Sequence, residues 1–534
     1  MMLRRNIIIL ALILFAFSIP LMAQNDIAEA IKTDNVAVVQ QKIGTGAGQI
    51  PLNGKDGIVP LLLAVQHNAL QTTRRLLELG ADKEAKTRGG STPLSLAAYY
   101  GNVDIVDALI TAGAALGTKS PNGYQPLDWA LENRHWNVVS RLFFAWGMQE
   151  AFGAEEKEAL KAIRSGESTK LQHKKGFTSF PLLLAIVKND TSLVEVLLKA
   201  GFDPNQQNAA GYAPLPTAAR LGNVSVVKVL LQYKADPNIG GTKGNDVAGA
   251  LNQAARGLNA DAGAELIKNG AEVNRGNAKG VTPLYICGRI DSKDGAFTEM
   301  LLKNGASLRL KADDGYDAFD AAMESRNRLY TQIAMKEFFL QSARNEHERE
   351  LFSSILKNTS TIPKQIAPES SVLLLNYAVV KGDSALFAKV LPIVDNLNRK
   401  NISGHYPLPL AASWGEKDML RHLLKNGADV NIQNENRYNT SALMESTRDA
   451  NFEIAQELIQ HKASVNLKDV HSDHALNWAT FYGRKRIVEL LLTNGADFTQ
   501  RGQQTNDNAL DIAQRMNFQE IAQILQIAGA RASK

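Results

Sequence analysis

The 534 residues read as an all-α solenoid of stacked helix–turn–helix units, and three observations point there. Prolines recur at a fixed interval: Pro60, Pro93 and Pro126 are 33 apart, as are Pro181 and Pro214. Similar strings surround them and return without the proline, as in HALNWATFYGRKRIVELLLTNGAD from His474. Each period carries the same punctuation, which is what a repeat of 20–50 residues means physically: one small unit that cannot bury its apolar face alone and must stack on copies of itself.

The letters of one period explain its shape. Thr92-Pro93 and Thr282-Pro283 start a short helix, the hydroxyl capping it and proline occupying a first turn where a missing N–H costs nothing. Paired small residues (Ala97-Ala98, Ala218-Ala219, Ala411-Ala412) let a neighbouring helix come close. Glycine at 101, 222, 382, 415 and 483 ends this first helix in a left-handed conformation. A second helix follows, apolar on one face through residues such as Val103, Val106, Leu109 and Ile110. A further glycine (80, 113, 201, 270, 305, 427, 495) closes it, and an Ala-Asp/Glu-Val/Pro-Asn turn leads onward.

Ahead of the repeats, Arg4 and Arg5 precede an unbroken apolar run from Ile7 to Phe17, then Ser18, Pro20 and Ala23. That is the three-part pattern of a secretory signal peptide, with cleavage expected after Ala23. Eleven apolar residues would span about 16 Å as a helix, half a bilayer core, so a membrane anchor is disfavoured. No cysteine follows the run, and no later stretch approaches 18 apolar residues, so a periplasmic or secreted protein without a membrane span is expected.

Composition narrows the function. A formal charge of +5, from 59 Lys+Arg against 54 Asp+Glu, is too dilute for a dedicated nucleic-acid binder. The single cysteine excludes an internal disulfide framework and multi-cysteine metal sites. That residue, Cys287, stands where other units have alanine and reads as core filler. His471, Asp473 and His474 form the tightest potential metal cluster but lack a third neighbouring ligand of the kind a catalytic zinc needs; His474 takes the place of the capping threonine. GTGAG at Gly44–Gly48 follows a helix, and Gly54-Lys55 precedes Asp56, so neither phosphate-loop context is met. No catalytic, cofactor-binding or metal-binding residues are assigned, no cofactor is expected, and the chain is read as a non-enzyme.

The pattern STPLSLAAYYGNVDIVDALITAGAA from Ser91, repeated as YAPLPTAARLGNVSVVKVLLQYKADPN from Tyr212 and YPLPLAASWGEKDMLRHLLKNGADVN from Tyr406, resembles the ankyrin repeat family. Aligned on that family, thirteen units follow a degenerate opening unit at Asp26–Gln49. The family's histidine after Thr-Pro-Leu is missing throughout, replaced by Leu62, Ser95, Asp128 or Tyr285. The expected organisation is a signal peptide over 1–23, repeats over 24–147, a degenerate repeat over 148–176, repeats over 177–340, a charged helix and proline-containing spacer over 341–370, and repeats over 371–534, joined into one curved superhelix.

The resemblance implies binding of a protein partner through the concave face and the turn tips. Partner contacts in the family come from the variable residues after the paired small residues and from the turn before the helix. Carried onto this chain, these positions include Tyr99, Tyr100, Tyr124, Tyr212, Arg220, Arg256, Arg289, Tyr316, Trp414, Arg448, Phe481, Tyr482 and Arg515. Aromatics and arginine are the types enriched in interface hot spots, and the bias favours a partner with acidic and apolar surface. A monomer that sequesters or inhibits an exported enzyme is the leading expectation. A secreted effector that binds host proteins is the alternative, and a metal-dependent enzyme built on His471, Asp473 and His474 is a remote third.

Overall fold

The computed structural model describes residues 21–43, 59–121, 123–166, 176–208, 211–240, 249–290, 293–363, 366–435 and 438–532. The 1–20 part of the expected signal peptide and both glycine-rich motifs, at 44–48 and 54–55, lie outside the described residues. The described residues form helices throughout, with one isolated antiparallel bridge between Gln433 and Ser441 and no strand: an all-α repeat solenoid. None of these helices is long and apolar enough to cross a membrane.

The punctuation works as its chemistry dictates. The Thr92 hydroxyl accepts the Ser95 amide at 3.2 Å at the start of helix Pro93–Tyr100, and Gly101 ends that helix at φ 77°. Alanine at this glycine would meet the His135 ring at 2.5 Å as well as adopting an unfavourable φ. Where the threonine is missing, some starts go without a side-chain cap, as at Val59, Ala213 and Tyr406, and others use a different group. His474 caps helix Ala475–Phe481 through its imidazole, accepting the Asn477 amide on Nδ1.

Contacts group the helices into two compact units, one comprising Met1–Cys287 and Lys303–Ala312, the other Gly288–Leu302 and Asp313–Lys534. In the first, the short helices Pro60–Gln66, Pro93–Tyr100 and Pro126–Glu132 stack as one layer, while Leu70–Glu78, Val103–Thr111 and Trp136–Glu150 form the other. The second unit ends in the same two-layer stacking, with Pro407–Trp414, Ala442–Arg448, Ala475–Phe481 and Ala509–Arg515 in one layer. Cys287 is buried, as its place among the small residues requires.

Both sequence irregularities fall inside units and are built alike. In the first unit the second-layer helix lengthens to Trp136–Glu150, a single helix Gly153–Ser165 follows, and the long helix packs against Phe180–Val187. In the second unit the long helix is Arg328–Gln341, the single helix Glu346–Leu356, and the helix met is Pro368–Lys381. Gly147 makes the first approach possible: a Cβ there would lie 2.9 Å from the Phe180 Cβ and 3.1 Å from Leu160. Glu156, fully buried, is held by the amides of Phe152 (2.6 Å) and Thr178 (2.9 Å).

Two ladders of side-chain amides set the spacing of units. The turn asparagine after the second helix reaches the next turn: Asn238 donates to the Gly270 carbonyl (2.9 Å) and accepts the Glu272 amide (2.8 Å), and Asn205, Asn274, Asn398 and Asn466 repeat the pattern. A second ladder runs from the residue before each second helix back to the carbonyl end of the preceding first helix. Asn223 donates to Ile186, Asn259 to Ala219 and Arg220, and Asn451 to Ala412; His135 takes this place against Tyr99. These bonds satisfy carbonyls that a helix end leaves without intrahelical partners.

Asn238→Ala removes one donor and one acceptor from this ladder, and a net loss of about 1–2 kcal/mol is expected at this solvent-facing site. Hydrogen exchange should show the Glu272 amide accelerating while amides in the Pro60–Gln66 helix stay unchanged; uniform acceleration would contradict a local tie.

Candidate functional site

Beyond each irregularity the first-layer helices on its two sides face one another, and this is where most of the aromatic and arginine positions converge. In the first unit, Glu132 at the end of Pro126–Glu132 is the hub. Its Oε2 lies 2.5 Å from Arg220 Nη2 and its Oε1 3.6 Å from Arg256 Nη1. Arg220 also donates to Gln253 (3.3 Å), and Arg134 donates to the Gly257 carbonyl (2.9 Å). Beside them the Tyr212 hydroxyl donates to Asp128 Oδ1 at 2.5 Å.

The second unit carries the same frame at a constant offset of 192 residues: Glu324 pairs with Arg448 (3.5 Å) as Glu132 does with Arg256, and Arg326 pairs with Asp449 (2.9 Å) where Arg134 meets Gly257. Arg134 and Arg326 both adopt φ 58°, an uncommon conformation for a residue with a side chain. Arg326 additionally donates to the Ser413 carbonyl (2.8 Å) and hydroxyl (2.5 Å), and Arg328 pairs with Glu416 and donates to Val380 (2.7 Å). Glu445, buried, accepts from Thr440 (2.7 Å) and Ser413 (3.3 Å).

Burial works against every charge here, and the neighbours decide the outcome. For Glu445 desolvation favours the neutral acid, but Arg448 and Arg326 outweigh it and hold the carboxyl below its usual range. Arg448 is likewise desolvated, and Tyr482, Glu445, Glu324 and Asp449 together keep it firmly cationic. Arg326 is shifted down by burial and by Arg448. Burial pushes the Tyr482 phenol up.

These positions divide the expected contact residues into frame and face. Arg220 and Arg448, each 6 % exposed, are committed to internal carboxylates, because each guanidinium ends its helix pointing at the acid of the facing helix. Arg256 is also paired inward, and Trp414 lies beneath Arg326 and Arg328 with both guanidinium carbons 5.7 Å from its ring. Arg289 pairs with Asp314 (3.6 Å) and sits over the buried Tyr316 ring. Arg515 is exposed apart from the others and pairs with Asp507 (2.8 Å).

The face proper is aromatic. Tyr99, Tyr100 and Tyr124 are half-buried and locked to one another through Trp129, with ring centroids 5.1 Å apart for Tyr99–Tyr100, 5.6 Å for Tyr99–Trp129 and 4.9 Å for Tyr124–Trp129. In the second unit Phe481, 42 % exposed, stands edge-on to Tyr482, which in turn meets Trp478. Trp129 and Trp478 are the members that sequence reasoning missed. Each lies one turn into its first helix, before the paired small residues and so outside the positions carried over from the family.

His471 and His474 do not face a common point. His474 is buried, with Nε2 2.7 Å from the Asp497 carbonyl oxygen and Nδ1 committed to capping. His471 stands edge-on to Tyr438, its Nε2 3.2 Å from Gln504. Among the described residues no group of three or more His, Cys, Asp or Glu is arranged to hold a metal ion.

A family model described as ankyrin repeats, in three copies, matches residues 61–150, 148–240 and 375–469, together just over half of the chain. The chain therefore belongs to the ankyrin repeat family. It is 26% identical over 316 residues to the phosphocholine transferase AnkX of Legionella pneumophila, covering 57% of this chain and 31% of that protein. It is 26% identical over 321 residues to the human transient receptor potential cation channel subfamily A member 1, covering 58% of this chain and 26% of the channel. A putative ankyrin repeat protein of Rickettsia felis is 22% identical over 327 residues, 58% of this chain and 80% of that one. The chain spans less than a third of the length of the transferase and of the channel. Arrays of this family are in general non-enzymatic scaffolds for protein–protein interaction, although some related proteins carry enzymatic activity.

Two measurements probe this region. Glu132→Leu alone leaves Arg220 buried without its carboxylate and should cost about 3 kcal/mol, whereas Glu132→Leu with Arg220→Leu should recover most of that loss. Urea titrations of the single and double variants read the difference; equal losses would deny the pair its role.

The second measurement is a pH series. Burial holds His474 below the usual imidazole range, with the Asp497 carbonyl opposing, so the folded chain resists a proton that the unfolded chain accepts near pH 6.5. Stability from this group falls as pH drops below that value. Asp473 has the opposite sign: burial and Asp469 push it up to about 6 against an ordinary value of 3.8, so its contribution is complete below 3.8 and is lost as pH rises through 6. Thermal scans should show His474→Thr flattening the decline between pH 6.5 and 5. Asp473→Asn should raise the Tm at pH 7.5, with the gain shrinking towards pH 4.

Proposed function

We propose that this chain is a non-enzymatic, exported protein-binding scaffold that engages its partner first through the Tyr99–Tyr100–Tyr124 face. The observation that carries the reading is the packing of that face: Tyr99 and Tyr124, fixed against Trp129, and Tyr100, edge-on to Tyr99, present a large amphipathic surface at little further cost in side-chain entropy. Clusters of this composition are where interface energy concentrates. The basic start and apolar run over Arg4–Phe17 support action outside the cytoplasm. Sequestration or inhibition of an exported enzyme is the role we assign to the captured complex, since a solenoid without chemistry of its own acts by covering a partner's surface.

Affinity capture from envelope extracts of the producing cell tests the reading. The triple substitution Tyr99→Ala, Tyr100→Ala and Tyr124→Ala should lower capture about a hundredfold with an unchanged fold by circular dichroism. Undiminished capture by that variant rejects the face, and recovery of the protein solely from the cytoplasmic fraction rejects export.

A further inference from the structure

Arg220, Arg256 and Arg448 are paired inward, so positive charge offered to a partner has to come from elsewhere. Two connecting turns of the first unit supply it. The turn after Leu70–Glu78 carries Lys86 and Arg88, the turn after Val103–Thr111 carries Lys119, and all three side chains are exposed. None of the three forms an ion pair among the described residues. The acids of the same turns are engaged locally. Glu84 accepts the Ala115 amide (2.7 Å) and the Thr118 hydroxyl (3.2 Å), and Asp82 accepts the Glu84 amide (2.9 Å). With Lys83, whose ammonium donates to the Ala112 carbonyl (2.7 Å), the two turns hold four cations against two acids.

Comparable turns of the second unit are built the other way. Arg399 is neutralised by Glu369 (3.0 Å) and Asp395 (3.1 Å), Lys400 by Glu435, and Arg501 by Asp511 (2.9 Å), while Lys468 is followed directly by Asp469. The unpaired charge of the first unit also adjoins its tyrosines. The Ser120 amide and hydroxyl both donate to the Tyr124 carbonyl (2.9 and 3.0 Å), which closes Lys119 into one turn with Tyr124. Lys86 and Arg88 flank Thr87, whose amide donates to the Ser91 carbonyl (3.0 Å) and whose carbonyl accepts the Gly90 amide (2.8 Å). A Cβ on Gly90 would lie 2.4 Å from the Pro121 ring, so this turn rests directly on the next.

That juxtaposition specifies the chemistry of what binds. Exposed cations attract carboxylates over about one Debye length, roughly 8 Å at physiological salt, and speed their encounter. The half-buried tyrosines beside them offer contact area to an apolar side chain. We propose that Lys86, Arg88 and Lys119 receive an acidic segment of a protein partner, its Asp or Glu carboxylates lying along the two turns and an apolar side chain resting on Tyr99 and Tyr124. This assignment rests on the partner-binding reading above and names the class of segment that the tyrosine face captures.

Fluorescence anisotropy of the full chain with the fluorescein-labelled peptide Glu-Glu-Phe-Glu-Glu tests it. In about 50 mM salt a dissociation constant of roughly 10–100 μM is expected, rising about tenfold in about 300 mM salt, while Lys-Lys-Phe-Lys-Lys does not bind. The triple substitution Lys86→Gln, Arg88→Gln and Lys119→Gln removes three exposed charge contacts and should weaken binding about tenfold at an unchanged Tm. Arg399→Gln with Lys400→Gln should leave the affinity as it was. Equal affinity for the lysine peptide, an unaltered affinity of the triple variant, or no binding of the acidic peptide by about 1 mM would overturn the proposal. Binding to phosphatidylglycerol vesicles without binding to the peptide would overturn it too, by giving these cations to a membrane surface. Charge-dependent peptide binding that survives Tyr99→Ala, Tyr100→Ala and Tyr124→Ala rejects the tyrosine face alone, and envelope capture unaffected by the charge variant rejects the turns alone.

Discussion

A helix of two turns cannot hold itself together in water, and its last carbonyls have no partner within it. The rest of this molecule depends on how that deficit is met. Each unit lends its neighbour a side-chain amide: Asn223, Asn259 and Asn451 cover the carbonyl ends of preceding helices, and Asn238, Asn274 and Asn466 tie successive turns. Stacking is therefore a polar requirement as much as an apolar one. The buried faces supply the driving force, and the amides set the spacing at which it can be collected.

The ion-pair frame answers a different problem. Where a long second-layer helix and a single extra helix interrupt each stack, the facing first-layer helices would otherwise bring acids and arginines together without order. Glu132 with Arg220 and Arg256, and Glu324 with Arg448, turn that encounter into a defined arrangement. Such pairs gain little net stability over apolar residues of the same size, since desolvation consumes most of the attraction. Arg134 and Arg326 end their helices in the left-handed conformation that Asn68, Asn189 and Leu258 also adopt, and from there reach matching partners in the two units.

The two units diverge within that shared frame. Tyr212 donates to Asp128 whereas His405 stays against the Ser403 carbonyl, and Gln253 bonds Arg220 whereas Glu445 accepts from Thr440 and Ser413. The half-buried tyrosines at 99, 100 and 124 add an aromatic face in the first unit.

The amino-acid sequence by itself determined the repeat: helix starts at Thr92-Pro93, left-handed ends at Gly101 and Gly222, and small residues where helices approach are local demands of backbone geometry. It also marked both interruptions and the burial of Cys287. Only the tertiary structure decided which side chains face outward. Arg220 and Arg448 occupy the same repeat position as exposed residues elsewhere, and Glu132 lies 88 residues from Arg220, a separation no local pattern encodes. The 192-residue recurrence of Glu-x-Arg at 132–134 and 324–326 was present in the sequence as a signal, but its meaning required the partners at 256–257 and 448–449 to be seen beside it. Periodicity is a property of neighbours along the chain, whereas exposure and pairing are set by which helices the interruptions bring face to face.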